Sequence, residues 1–417
     1  MGNMNTNEIA ELQKKYVMST YAPPSIALVE GSGANVWDAE GNEYLDFVSG
    51  IAVTNIGHCH PKMVRAVQDQ VETLVHVSNL FYNEKQPLLA KALSERSGLP
   101  GAKCFFCNSG AEANEGLIKL ARLWGSTKGK YEVVTMRQSF HGRTLATLTA
   151  TGQEKVQKGF GPLPEGFVYA NFNDLQSVEE AITPKTSAVL VEALQGEGGV
   201  IPAEPEFMAG LRTLCDEKGI LLLCDEVQCG MGRTGKWFAF QHCGVVPDAF
   251  SLAKGLGNGF PIGAVVAGAK LADTFQPGHH ATTFGGTPLA CAAALSVIDV
   301  IEEEALLTNA MMMGAYFIEG LCAIALKHKK WIAQVRGLGL LLGLVLDVPA
   351  LPLQKKLQEK GLLTLATAGN VLRLLPPLNV TAPEIEQALK LIGEACAELH
   401  DEMAALSPNP CQCGMGE

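Results

Sequence analysis

The feature that most constrains this chain is a rhythm between residues 100 and 300, where short β-rich apolar runs alternate with stretches of helical periodicity. The runs are Lys103–Phe106, Tyr131–Met136, Phe167–Ala170, Ser187–Glu192, Gly219–Cys224, Ala249–Ala253 and Ile262–Ala267. Strands that alternate with helices are joined by crossovers, and crossovers build a mainly parallel sheet covered on both faces. Leu221, Leu222, Leu223 and Cys224 are apolar without a break, as a strand buried on both sides requires. Between the runs, Ala113, Leu117, Ile118 and Ala121 share one face of a helix that starts after Ser109-Gly110. The expected fold is α/β, with a seven-stranded, mainly parallel principal sheet.

After about residue 305 the texture changes. Arg336–Leu346, Leu362–Ala366 and Val371–Leu375 read as strands, and Thr381-x-x-Glu384 as the capping box of a last helix with Pro383 in its first turn. Ile385, Ala388, Leu389, Ile392 and Leu399 form the buried stripe of that helix. This predicts a large domain over 56–305 and a smaller α/β domain over 306–417, with residues 1–55 packing beside the latter.

Composition bounds the function. With 47% hydrophobic and 18% charged residues, the 417-residue chain has material for a sizeable core, and disorder is excluded as its main state. A net charge of -11 excludes nucleic-acid binding through a basic surface. Residues 1–20 lack the apolar stretch of a secretory signal, and the longest apolar run, Gly337 to Leu346, stops at Asp347. Spanning a bilayer takes ~20 residues, so a cytoplasmic protein is expected, without a membrane partner. Met1 to Thr6 fits the short myristoylation pattern, which many chains match by chance. Twelve cysteines then read as reduced thiols, including Cys411 and Cys413 near the end. Cys104-Phe-Phe-Cys107 has redox spacing, but its two phenylalanines suit a buried strand better. His58-Cys59-His60 and His279-His280 lack partners at metal-site spacing, so no metal is expected.

Two phosphate-loop imitations are set aside. Gly230 to Lys236 has the GxxxxGK spacing, but Trp237 stands where a Ser or Thr must hold magnesium. Gly337-x-Gly339-x-x-x-Gly343 is off by one from a dinucleotide fingerprint and lies in a strand-like run. Four other segments converge. Asn108-Ser109-Gly110-Ala111-Glu112 sits between a strand and a helix start, where backbone N–H groups and the Ser109 hydroxyl suit a phosphate. Asp225 follows the most hydrophobic strand, Lys254 follows another, and Phe140 and Arg143 stand at a third strand end. Ligands of open α/β sheets bind at the carboxyl ends of strands. A buried acid, a lysine, a phosphate cradle and a flat ring together suit pyridoxal 5'-phosphate. Its aldehyde needs an amine, its ring nitrogen an anion and its phosphate an anchor.

On these residues the chain resembles the class III, fold-type I aminotransferases over nearly its whole length. Gly50 to Val53, Gly57 to Pro61, Ser78 to Asn83, Asn108 to Glu115, Gln195 to Gly199, Asp225 to Gln228 and Thr282 to Gly286 carry the match, and Asp225 with Lys254 is its most specific pairing. The resemblance implies that Lys254 carries the cofactor and Asp225 pairs with its ring nitrogen. Cofactor contacts are implied for Ser109, Gly110, Phe140, Glu226, Val227 and Gln228, and for Thr283 from the other subunit of a homodimer with shared active sites. Substrate contacts are implied for Arg143, Thr282, Glu197 and Arg373, the last two as a switchable ion pair. The family usually has Asn after the paired glycines; here Thr287 precedes Pro288, and Thr is also expected to cap the helix. The implied reaction moves an amino group from N2-acetylornithine to 2-oxoglutarate, as in arginine biosynthesis. The alternatives are 4-aminobutyrate, ornithine or succinylornithine as donor, and a non-catalytic binding module. Ile51 stands where ornithine aminotransferases carry a tyrosine, and the aromatics of Ser78 to Asn83 are expected to line a pocket for an acylated amine.

Overall fold

The computed structural model describes residues 4–406, with side chains through residue 400. The first three residues of the myristoylation pattern, and Cys411 and Cys413, lie outside the described residues. All seven expected runs form strands: β1 (Lys103–Cys107), β2 (Glu132–Met136), β3 (Phe167–Ala170), β4 (Thr186–Val191), β5 (Leu221–Asp225), β6 (Ala249–Leu252) and β7 (Gly263–Ala267). They make one sheet in the order β1-β7-β6-β5-β4-β2-β3. Only β7 runs antiparallel to its neighbours. The carboxyl ends of β1, β2, β4, β5 and β6 therefore share one edge with the amino end of β7. In that edge Asp225 pairs in register with Ser251, three residues before Lys254.

The sheet is buried because its strands are apolar on both faces. Every residue of β4, β5, β6 and β7 is buried. Helix α1 (Gly110–Gly125) buries Ala113, Leu117, Ile118 and Ala121 as the periodicity predicts, and Ser109 caps it by accepting the Glu112 N–H. At 25 cal/mol per Å2 or so, Leu117 and Ile118 each stabilise the fold by roughly 1.5–3 kcal/mol before entropy is counted, and the alanines by less.

The C-terminal region differs from the expectation in two places. Arg336–Leu346 is a hairpin rather than one strand: β8 (Ile332–Leu338) and β9 (Leu341–Leu346) meet at Gly339, whose φ is 56°. A Cβ on Gly339 would lie 2.5 Å from the Thr234 carbonyl carbon, so the turn needs glycine. With β10 (Leu365–Thr367) and β11 (Val371–Leu374) they form a sheet in the order β8-β9-β11-β10. Leu362 and Leu363 instead join the N-terminal strands, pairing with Leu45 and Asp46. The last helix, Ala382–Leu406, starts with one half of the expected box, Glu384 accepting the Thr381 N–H at 2.7 Å and the Thr381 hydroxyl at 2.8 Å. Pro288 opens its helix with Thr287 at the cap, but the Thr287 hydroxyl donates to the Val75 carbonyl at 2.6 Å and does not cap.

One helix among the described residues, Leu306–Lys327, is long and apolar enough by length and composition to cross a membrane. No continuous apolar run announces it, because polar residues interrupt its sequence. It buries Leu306, Ala310, Gly314, Phe317, Leu321 and Ile324. Cys104 and Cys107 are free thiols on β1, and burial pushes both up to about 12.

Candidate active site

A cavity of about 410 Å3 opens at the shared strand edge. Its wall holds Ser109, Gly110, Phe140, Arg143, Glu197, Asp225, Val227, Gln228 and Lys254, so the fold gathers nine of the expected site residues at one place. Gly110 is required where it stands. A Cβ there would lie 2.7 Å from Cγ1 of Val227, so a larger residue would push the helix N-terminus off the cavity.

Asp225 is 3% exposed and accepts from four sides. Asn114 Nδ2 and His141 Nδ1 both reach Oδ2 at 2.7 Å, while the Val227 N–H (2.9 Å) and the Ser251 hydroxyl (3.4 Å) reach Oδ1. His141 Nε2 is buried without a partner, which assigns the ring proton to Nδ1. Neither Asn114 nor His141 was identified from sequence as a site residue. His141 stood inside the Ser139 to Arg143 segment, and Asn114 one turn into α1, but only the sheet order brings them to Asp225.

Lys254 begins a 3-10 turn with φ at 44°, a left-handed conformation unusual for lysine and of the kind found where a site constrains the backbone. Burial, and then the Arg373 charge, hold its amine below the ordinary lysine range. Lowering that value enlarges the neutral, nucleophilic fraction near neutral pH. Burial, with the Asp225 charge beside it, pushes Glu192 well up. Arg143 lies 5.4 Å over the Phe140 ring.

Arg373 is fully buried on β11 and lies behind the cavity wall. Its Nη1 is 2.7 Å from Glu197 Oε1 and donates to Gln228 Oε1 at 3.0 Å, so the expected ion pair is present. Nε and Nη2 have no partner. Burial raises the Glu197 carboxyl, but the charge and hydrogen bond of Arg373 outweigh it and leave Glu197 below its usual range.

Three expectations are placed differently, those for Glu226, Ile51 and the aromatics of Ser78 to Asn83. Glu226 is not in the cavity: it accepts the Ala239 and Phe240 N–H groups at 2.7 and 2.9 Å, and burial pushes it up to about 7. Successive residues at a strand end point to opposite faces, and Asp225 takes the cavity side. Thr282 and Thr283 lie outside the wall of this chain's own cavity, and Thr283 was expected to act in the other subunit's site; Thr282 accepts from Asn108 Nδ2 at 3.3 Å and Thr283 is exposed. Ile51, 37% exposed, is replaced in the wall by Val53. Ser49 to Ala52 form a left-handed turn with φ from 48° to 67°. Leu80, Phe81 and Tyr82 are exposed rather than lining the cavity.

The fold and this site are those of a pyridoxal-phosphate transferase. A family profile described as aminotransferase class-III matches residues 16–396. The chain is 51% identical to the acetylornithine aminotransferase of Caldanaerobacter subterraneus subsp. tengcongensis, covering 93% of this chain and 98% of that protein. It is 49% identical to that of Methanocaldococcus jannaschii, over 95% of this chain and all of that protein (100%). Among solved structures, the N-acetylornithine aminotransferase from Stenotrophomonas maltophilia superposes with a TM-score of 0.81 at 37% identity, covering 94% of this chain and 99% of that one. An ornithine aminotransferase from Toxoplasma gondii, whose description names PLP at its active site, superposes at 0.92 with 34% identity, covering 96% of each chain. The chain belongs to the class III aminotransferases. It is an aminotransferase with pyridoxal 5'-phosphate as cofactor, and the residues present fit that group: a glycine-cleared helix N-terminus, a four-fold hydrogen-bonded carboxylate and a lysine open into one cavity.

Proposed function

We propose that the enzyme transfers the terminal amino group of N2-acetylornithine to 2-oxoglutarate. The observation that carries this reading is the fully buried Arg373, with two guanidinium nitrogens unpartnered behind Glu197 and Gln228. Such donors cost about 1–3 kcal/mol each when left unmet, which favours a carboxylate as their partner. The acetylornithine donor is supported by the two relatives of that name, which share half of this chain's residues.

In this reading Ser109 and Gly110 hold the cofactor phosphate, Asp225 the ring nitrogen, Phe140 and Val227 the ring, and Gln228 its oxygen. When bound, the cofactor supplies an aldehyde that takes up the amino group and a ring that withdraws electrons from the substrate carbon. Lys254 Nζ yields its place to the donor amine, then takes a proton from the donor carbon and returns one. Arg143 binds the donor's carboxylate. Asp225 favours the protonated ring, and Asn114 and His141 keep its carboxylate aimed. The exposed Leu80, Phe81, Tyr82 and Phe284, next to the exposed Thr283, support a homodimer whose second copy covers this face and lends Thr283 and Thr282 to the neighbouring site. The ten described cysteines are all free thiols, which suits the cytoplasm. The division into 56–305 and 306–417, with 1–55 beside the latter, belongs to the same proposal; the pairing of Leu45 with Leu362 supports it.

The test is a donor panel with 2-oxoglutarate. kcat/KM for N2-acetylornithine is expected to exceed that for 4-aminobutyrate and ornithine by at least ~10-fold, about 1.4 kcal/mol of transition-state binding. A panel in which 4-aminobutyrate equals or beats acetylornithine overturns the choice of donor.

A second expected result concerns Glu197, which covers Arg373 while the acetylated donor is bound and swings away when the α-carboxylate of glutamate or 2-oxoglutarate needs it. Glu197→Ala is expected to speed the glutamate half-reaction relative to the acetylornithine one. Single-turnover rates for both donors check this, and an unchanged ratio removes the switch.

A further inference from the structure

Among the described residues, Arg233 and Arg373 are the two largest that are fully buried. Arg373 faces a carboxylate, whereas Arg233 meets only neutral groups. Its Nη1 donates to the Leu340 carbonyl at 3.1 Å and to the Pro376 carbonyl, and its Nη2 donates to Asn55 Oδ1 at 2.6 Å. Burial alone pulls it down to about 9. A guanidinium with no counter-charge is a costly core residue, so what it joins is informative.

Two of its partners close one end of the strand pair that holds Arg373. Pro376 lies three residues beyond Arg373 along the same chain segment. Leu340 immediately precedes β9, whose Gly343 pairs with Arg373. Asn55 lies behind Lys254: a Cβ on Gly255 would fall 2.3 Å from Asn55 Nδ2, so the amide packs directly on the residue after the lysine. Three further bonds close the node. Asn55 Nδ2 donates to the Met231 carbonyl at 2.9 Å, the Leu340 N–H to the Arg233 carbonyl at 3.0 Å, and the Leu378 N–H to the Asn55 carbonyl at 2.7 Å.

We propose that Arg233 is a positioning residue, one guanidinium that ties the end of the β9–β11 pair, three residues from Arg373, to the segment behind Lys254 and so fixes the distance from the carboxylate-binding arginine to the reacting amine. The inference rests on the reading of Arg373 as that carboxylate's ligand. The glycine-rich loop Gly230 to Lys236, which imitates a phosphate loop in sequence, then serves as a clamp.

Arg233→Met keeps most of the stem but leaves three acceptors without donors. In the holoenzyme it is expected to raise KM for 2-oxoglutarate by ~10-fold or more, with the acetylornithine half-reaction and the cofactor affinity of the apoprotein (by fluorescence titration) held within about 3-fold. Arg233→Lys restores the charge and some of the donors and should give an intermediate KM. Where the methionine variant does not fold, Arg233→Lys and Asn55→Ala carry the test, each raising the same KM by a smaller factor. An unchanged 2-oxoglutarate KM in the folded variants overturns the clamp. So does an equal loss across both half-reactions and cofactor affinity, which is what mere destabilisation gives. Arg373→Met is the control. If it does not raise that KM, the reading of Arg373 falls and the clamp with it; if it does while the Arg233 variants do not, the clamp alone falls.

Discussion

Lys254→Ala is expected to slow turnover by at least ~10²–10⁴-fold, the usual contribution of a positioned acid–base group. β6 delivers Lys254 into the cavity that Asp225 also lines, and burial with the Arg373 charge lowers the affinity of its amine for protons. An amine so placed is both nucleophile and proton carrier, and alanine is neither. The fold should survive, because the preceding strand is held by β5 and β7 and the variant removes no backbone bond. Steady-state and single-turnover rates check this, with melting temperature as the control for folding. Full activity in the variant removes Lys254 from the reaction.

Asp225→Asn is expected to retain the cofactor but to lower the single-turnover rate by ~10²-fold or more, since a neutral amide no longer favours a protonated ring nitrogen. The site has the means to accept the amide. His141 Nε2 is without a partner, so a proton shift from Nδ1 to Nε2 lets Nδ1 accept from the new amide, while Asn114 Nδ2 stays held by the His141 carbonyl at 2.8 Å. The loss should therefore appear in rate rather than in cofactor binding. A wild-type single-turnover rate contradicts the role.

What the sequence made legible follows from how strands are buried. The seven runs of the main sheet stand out because strands covered on both faces are apolar at nearly every residue. The same property hid the hairpin at Gly339: leucines continue across the turn, and the signal is one glycine among several. Lys254, Asp225, Ser109 and Phe140 were legible because each follows a strand end. Their partners were not. Asn114 and His141 meet Asp225 across different strands, a contact set by the sheet order and not by spacing. Glu226 sits beside Asp225 in sequence and was read as part of the site, yet the alternation of side chains sends it to the opposite side. Arg233 gave no sign of burial, since nothing in a glycine-rich loop tells a buried arginine from an exposed one.

The chemistry at this site turns on one covalent bond. Borohydride reduction of the holoenzyme, followed by peptide mapping, is expected to find the cofactor fixed to Lys254, on the peptide that contains Ser251 to Gly255. Label on any other lysine, or none on this peptide, would contradict it.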